Sequence, residues 1–298
     1  MKASSVIGHV ACFVAYAIFG VNIIVCKDLT SSALISPIAL FTLRSVGAGL
    51  LFWFISLFMP QEKVAWRDHP KILAASELGF LLTQLTFLIA IPSITPLDCS
   101  ITSAMSPIYT MIIAAIVLRE PITWQKAGGV ILSFAGVIFL LLNSVSASGT
   151  AQTTTVGLLL MILNCICFSL YLGIFKPLIS RYSVVTFMKW IFLYSMIMSL
   201  PLSLGELTTL NYAQLPGNIV AELAFLIICS TFITYFLIPV AQKRIRPTLV
   251  SMYSYVQPII AISVSIYLGM DTLGWQKVLA AAAVFVGVVI VSRSKARE

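Results

Sequence analysis

Along the chain, long apolar runs alternate with short polar interruptions. Ten runs stand out, at about residues 6–26, 35–59, 71–91, 97–117, 124–142, 156–179, 185–204, 218–239, 247–269 and 274–292. Each approaches or exceeds the ~18 residues that a helix needs to cross a hydrocarbon core of roughly 30 Å, where every backbone N–H and C=O must be satisfied within its own segment. The two-residue alternation of a membrane barrel is absent. The pattern therefore predicts an all-α integral membrane protein with ten transmembrane helices. The first run could be read as a secretory signal. No small-x-small cleavage site followed by a soluble domain supports that, and the run continues through Tyr16, Gly20 and Asn22 as an ordinary span. Connections between runs are short, which leaves no large catalytic or ligand-binding domain outside the bilayer.

The runs are not independent of one another. The word WQK occurs twice, as Trp124, Gln125 and Lys126 and again as Trp275, Gln276 and Lys277. Extended backwards without a gap, the match sets Ser103 on Ser254, Pro107 on Pro258 and Glu120 on Asp271; forwards, it sets Phe134 on Phe285 and Gly136 on Gly287. Upstream, Phe19 and Lys27 match Phe168 and Lys176, while Glu77, Phe80, Thr86 and Phe87 match Glu222, Phe225, Thr231 and Phe232. The chain reads as a duplication, residues 1–147 and 148–298, joined at the Ser/Thr-rich linker that starts at Asn143. Five spans per half is an odd number, so the second half enters the membrane from the opposite side. Inverted repeats of this kind mark transporters, because two interchangeable conformations open one central site to either face.

Composition strengthens the membrane reading: 60% of residues are apolar, 9% are charged, and mean hydropathy is +1.04. A net charge of +8 could suggest nucleic acid. Its distribution argues for topology instead. With ten spans and an inside N-terminus, Lys2, Lys63, Arg67, Lys71, Arg119, Lys126, Arg181, Lys243, Arg244, Arg246, Arg293, Lys295 and Arg297 all fall inside, and little more than Lys27 and Lys277 falls outside. Both termini are then cytoplasmic, and no nucleic-acid partner is expected. Six cysteines lie in or beside apolar runs, and the two histidines, His9 and His69, give them no zinc-ligand spacing. No metal or cofactor is expected.

The stretch SAMSPIYTMIIAAIVLREPITWQKAGGVILSFAGVIFLL and its counterpart SYVQPIIAISVSIYLGMDTLGWQKVLAAAAVFVGVVIV resemble the proline, acidic-residue and glycine pattern that closes each half of the EamA-type branch of the drug/metabolite transporter superfamily. The resemblance covers nearly the whole chain. It implies a ten-helix inverted-repeat carrier without enzymatic activity; similar members export amino acids and other small metabolites, and relatives carry sugar phosphates or nucleotide sugars. Two departures stand out: Asp271 replaces the usual Glu, and Met270 and Thr272 blur the motif around it.

Candidate chemistry gathers around the repeat. A proline inside a helix frees the carbonyl four residues back, so Pro107 and Pro258 are expected to kink their spans and free the carbonyls of Ser103 and Ser254 near the midplane. One face of the first span carries Phe19, Asn22 and Cys26, and its repeat-mate carries Asn164, Phe168, Tyr171 and Phe175. Amides and a phenol flanked by rings suit a small amphipathic ligand. Gln84 and Gln257 join them, although all these polar groups could equally serve as interhelical hydrogen bonds. Glu77 and Glu222 are ionisable residues in apolar runs at symmetric positions, which makes them candidates for coupling to a proton; the alternative is an interfacial place, paired with Lys71 or hydrated. Arg44 and Lys189 are expected to snorkel to the surface as anchors. Small residues on the fifth and tenth spans (Gly129, Ser133, Gly136, Ala280, Gly287) permit close helix packing, internally or in a homodimer.

What is missing narrows the function. No Lys or Arg lies between Pro247 and Trp275 to balance a phosphorylated substrate. There is no HExxH zinc motif or buried aspartate pair for an enzyme, no filter-like loop for a channel, and no phosphate loop for ATP-driven transport. The expectation is an alternating-access carrier of the bacterial inner membrane, monomer or homodimer, that moves small neutral or amphipathic metabolites, with amino-acid export foremost. A phosphorylated-metabolite or nucleotide-sugar antiporter and a non-transporting scaffold are the alternatives.

Overall fold

The computed structural model describes residues 3–31, 34–94, 99, 102–103, 105–144, 154–209, 215–267 and 275–294. Among them every regular element is helical. The order is α1 (Ala3–Ser31), α2 (Pro37–Ser56), α3 (Trp66–Ser93), α4 (Ser106–Val117), α5 (Trp124–Ser144), α6 (Thr155–Ile174), α7 (Lys176–Arg181), α8 (Val184–Thr209), α9 (Gly217–Gln242), α10 (Pro247–Met252), α11 (Val256–Tyr267) and α12 (Trp275–Arg293). Six stretches are long and apolar enough to cross a membrane: Ser4–Thr30, Pro37–Ser56, Trp66–Ser93, Thr155–Ile174, Val184–Gly205 and Gly217–Gln242. Ser106–Val117 and Ala282–Arg293 are shorter apolar helices. Most of the expected linker, residues 145–153, and the acidic position Asp271 with Met270 and Thr272 lie outside the described residues.

Helix starts follow local chemistry. Ser36 precedes α2 with an extended backbone, its Oγ accepts from the Ala39 amide at 3.1 Å, and Pro37 occupies the first turn, where a missing N–H costs nothing. Thr154 does the same for α6 by accepting from Gly157 N at 3.1 Å. Trp66, Trp124 and Trp275 stand exposed at the starts of α3, α5 and α12, where an amphipathic ring belongs at a membrane–water boundary. This is the service the repeated WQK performs twice.

Helices from the two halves interleave. α1 packs on α9 and α11, α3 and α4 pack on α6, α2 packs on α8, and α5 packs on α12. The last pair is the closest: a Cβ built on Gly287 would lie 2.5 Å from the Gly129 carbonyl, and Ser133 Oγ donates to Val284 O at 3.1 Å. Gly129, Ser133 and Gly287 therefore serve packing within the chain. In the centre, an aromatic column runs from Phe52 through Phe192 and Phe80 to Tyr235 and Phe19, with ring centroids 5.3, 4.5, 5.0 and 6.3 Å apart.

Two helices are locally wound as π-helix, α3 over Glu77–Leu81 and α9 over Leu226–Ile233. Each widened turn displaces carbonyls from the ordinary ladder. A threonine satisfies one in each helix, Thr83 Oγ1 donating to Leu78 O at 2.6 Å and Thr231 Oγ1 to Leu226 O at 2.7 Å. The others become acceptors for neighbouring helices.

The structure corrects three expectations. Arg44 does not snorkel: it is 0% exposed and donates to Thr231 Oγ1 at 2.9 Å and to Ser230 Oγ at 3.4 Å. Lys189 is buried as well, with its ammonium 5.0 Å from the centre of the Trp53 ring. In both cases a neighbouring helix supplies partners that a single apolar run cannot reveal. Lys71 pairs with Asp68 at 3.1 Å and makes no ion pair with Glu77.

Candidate functional site

Between α1, α3, α6 and the segment leading into α11 lies a cavity of about 80 Å³. Its walls comprise Tyr16, Phe19, Asn22, Ile23, Thr83, Gln84, Phe87, Ser103, Ser106, Met161, Asn164, Phe168, Tyr235, Ser254 and Gln257. Eight of the nine residues expected to bind substrate are therefore brought together: Phe19, Asn22, Gln84, Ser103, Asn164, Phe168, Ser254 and Gln257. Tyr171 is the exception. It lies one turn beyond Phe168, its ring covers Gly79, and its hydroxyl is buried without a hydrogen-bond partner away from the cavity wall.

Pro107 stands in the first turn of α4, and Pro258 in the first turn of α11, directly after a 3-10 turn at Tyr253–Tyr255. Pro107 stands where its ring and missing N–H are harmless, whereas before Pro258 the backbone stays helical from Pro247 and tightens to a 3-10 turn over Tyr253–Tyr255. Ser103 and Ser254 both line the cavity.

The polar walls are held in definite orientations. Tyr235 OH donates to the Gly79 carbonyl, displaced by the π-turn, at 3.3 Å. Its oxygen then accepts Gln84 Nε2 at 3.0 Å, which leaves Gln84 Oε1 buried without a partner. Asn164 Nδ2 donates to Thr83 O at 2.5 Å, so its own oxygen has no protein donor. Asn22 Oδ1 accepts from Ser230 Oγ at 2.5 Å and from Cys26 Sγ at 3.5 Å, which leaves its amide nitrogen free. The hydroxyls of Tyr16 and Ser254 are buried and unpaired. Gln84 Oε1, Tyr16 OH and Ser254 Oγ are thus buried without a partner, which costs about 1–3 kcal/mol each, and Asn22 Nδ2 and Asn164 Oδ1 have no protein partner beside the same space. The arrangement suits a small ligand with donors and acceptors of its own.

Glu77 and Glu222 do not line the cavity. Glu77 Oε1 and Glu222 Oε2 are buried and accept no hydrogen bond. Among the lining residues missed from sequence are Tyr16, Tyr235 and Thr83. Tyr16 lies one turn before Phe19 on the same face, a spacing that could have found it. Tyr235 and Thr83 gave no signal, because their places depend on the π-turns.

Two polar clusters tie the halves together at helix ends. Asp68 accepts from Arg181 at 2.6 Å and from Tyr182 OH at 2.7 Å, while Glu62 takes the Ser183 amide at 2.8 Å. Lys243 donates to Tyr182 O, and burial pushes its ammonium below the usual lysine range. Lys126, from WQK, is buried against Glu120 at 2.6 Å, with Arg119 in left-handed conformation (φ 52°) turning the chain so that the carboxylate can reach.

Comparison with known proteins places the chain in a family. An uncharacterized transporter of Archaeoglobus fulgidus is 25% identical over 261 residues, 88% of this chain and 90% of that protein. An S-adenosylmethionine uptake transporter of Rickettsia bellii is 24% identical over 195 residues, 65% of this chain and 62% of the relative. A solved crystal structure shares the fold at a TM-score of 0.76, with 16% identity, covering 98% of this chain and 97% of its own. The model of the EamA-like transporter family matches twice, over residues 6–142 and 155–293. The chain belongs to the EamA-like transporter family, within the drug/metabolite transporter superfamily.

Proposed function

We propose that this transporter works by alternating access at the cavity and moves small neutral or amphipathic metabolites, amino acids foremost, outward across a bacterial inner membrane. The observation that carries the reading is the set of unsatisfied donors and acceptors, Asn22, Gln84, Asn164, Tyr16 and Ser254, around one space walled by helices of both halves. A scaffold gains nothing from leaving them unpaired. Ten spans in two inverted repeats, residues 1–147 and 148–298, with both termini cytoplasmic, fit the reciprocal pairing of the helices: α1 with α9 is mirrored by α3 with α6, and α1 with α11 by α4 with α6. The Asp68 and Glu62 clusters would then be cytoplasmic contacts that break when the site opens inward.

Glu77 and Glu222 are the candidates for proton coupling, since each has a buried carboxylate oxygen that accepts no hydrogen bond. The test of transport is counterflow in liposomes containing the purified protein. The panel holds amino acids, nucleosides, sugars and sugar phosphates, with S-adenosylmethionine added because a relative is named for its uptake. Exchange of amino acids that is lost in Asn22→Ala and Asn164→Ala supports the reading. Exchange confined to phosphorylated compounds, or none across the panel, refutes it.

A further inference from the structure

Arg44 is a fully buried cation in a helix apolar enough to cross a membrane, and no carboxylate contacts it among the described residues. Its guanidinium donates to three neutral groups: Thr231 Oγ1 at 2.9 Å, Ser230 Oγ at 3.4 Å and Cys26 Sγ at 3.9 Å. A charge at such depth is costly, and buried cations are ordinarily paired with a carboxylate. None of the described residues supplies one, so we look for the countercharge in a bound substrate.

The hydrogen bonds show where. Ser230 accepts from Arg44, so its own proton is free to go to its other partner, Asn22 Oδ1, at 2.5 Å. Cys26 repeats the arrangement: its sulfur accepts from Arg44 and its S–H donates to the same Asn22 oxygen at 3.5 Å. Two donor relays thus begin at one fixed positive charge and converge on one amide oxygen. They fix the amide's orientation, because only an oxygen can receive both protons, and they polarise it so that Asn22 Nδ2, on a residue of the cavity wall, is the positive end of the chain. A group that docks there must be an acceptor, and an anionic acceptor gains most.

We propose that Arg44 is a positioning residue that makes the cavity selective for substrates bearing a carboxylate, which Asn22 Nδ2 touches directly. The proposal rests on the cavity being the substrate site. One cation acting through neutral relays balances a single negative charge, which favours a carboxylate over a doubly charged phosphate. On the α3 and α6 walls Gln84 Oε1 and Asn164 Oδ1 are acceptors, so a substrate with an ammonium group beside its carboxylate would be met at both ends.

The test measures binding to purified protein of alanine, leucine, methionine and phenylalanine, each against its own amide, which keeps the ammonium and side chain but lacks the carboxylate. Wild type should bind the acids roughly tenfold or more tightly than the amides, the scale of a hydrogen bond to a charged group. Arg44→Lys should retain most of that ratio. Arg44→Gln should bring it near one while the melting temperature of the unliganded protein holds. Should Arg44→Gln fail to fold, the double variant Cys26→Ala/Ser230→Ala cuts both relays, leaves the arginine in place and should lower the ratio equally. Equal binding of acid and amide by wild type, or a ratio that survives these variants, overturns the proposal; if Asn22→Ala and Asn164→Ala still weaken both compounds, the cavity remains the site. Binding confined to compounds without an anionic group overturns the role of Arg44, and binding of nothing overturns both readings.

Discussion

The contact between Gly79 and Tyr171 offers a sharp test of how the cavity wall is supported. Gly79 lies in the π-turn of α3, and a Cβ added there would fall 2.4, 2.7 and 2.8 Å from Cδ2, Cγ and Cε2 of Tyr171. Carbon atoms in contact sit roughly 3.5–4.0 Å apart, so in Gly79→Ala the ring must retreat by about 1 Å or α3 must move. The ring has little room: Tyr171 is 2% exposed, and its neighbours are Phe168 at 6.1 Å and Phe175 at 6.3 Å. Overpacking of this severity belongs at the upper end of its range, ~3 kcal/mol. Alanine returns ~1 kcal/mol through its greater helix propensity, which leaves a net destabilisation of about 2 kcal/mol. Gly79 O also accepts from Tyr235 OH, and Phe168 lines the cavity, so ligand affinity should fall along with stability. The assay is a double-mutant cycle read by thermal melting in detergent, with Gly79→Ala, Tyr171→Ala and the pair. In the Tyr171→Ala background the clash is gone, and Gly79→Ala should be neutral or stabilising. If Gly79→Ala destabilises both backgrounds equally, the ring contact is not its cause and the steric argument fails.

Three other outcomes are expected. Asn22→Ala and Asn164→Ala should each weaken substrate affinity by about 1–3 kcal/mol, beyond a modest drop in melting temperature from the interhelical hydrogen bond each removes; affinity that holds while melting falls would make the two amides interhelical glue. Glu77→Gln and Glu222→Gln keep shape and remove titration, so at least one should abolish the pH-gradient dependence of transport into liposomes, and unchanged dependence in both would leave them as interfacial residues. Gly287→Val places carbons where the Gly129 carbonyl and Ser133 Oγ lie 2.5 and 2.0 Å from the first of them, so α12 should separate from α5 and the protein should melt earlier; melting at the wild-type temperature would contradict the packing.

Much of the site was legible because it depends on helical period and on the duplication. The stripe of Phe19 and Asn22 with its repeat-mates Asn164 and Phe168 follows from spacing along single helices, and the repeat supplied Ser254 from Ser103. Tyr171 failed for a reason spacing cannot expose: a neighbouring glycine took the ring before the cavity could. Arg44 failed similarly, since a lone arginine near a helix end looks like an anchor until the hydroxyls of another helix are known to surround it. The π-turns left no trace in the hydrophobic pattern, which is indifferent to one extra residue per turn, yet the one in α3 presents the Gly79 carbonyl that holds Tyr235. The prolines were expected as kinks; Pro107 stands in the first turn of α4, and Pro258 follows a 3-10 turn within helical backbone.

The interleaving of the helices sets a timetable for biosynthesis. α1 ends at Ser31, and its main neighbours, α9 and α11, begin at Gly217 and Val256. At roughly 5–20 residues per second, α1 waits in the membrane about 10–40 s before the surface that will cover Asn22 and Cys26 has been made. α2, carrying Arg44, waits as long for Ser230 and Thr231. The first half must therefore persist as loose helices, its amides and one cation facing lipid or the insertion machinery. Two co-expressed fragments divided in the linker should reassemble, and the first fragment alone should be cleared by quality-control proteases.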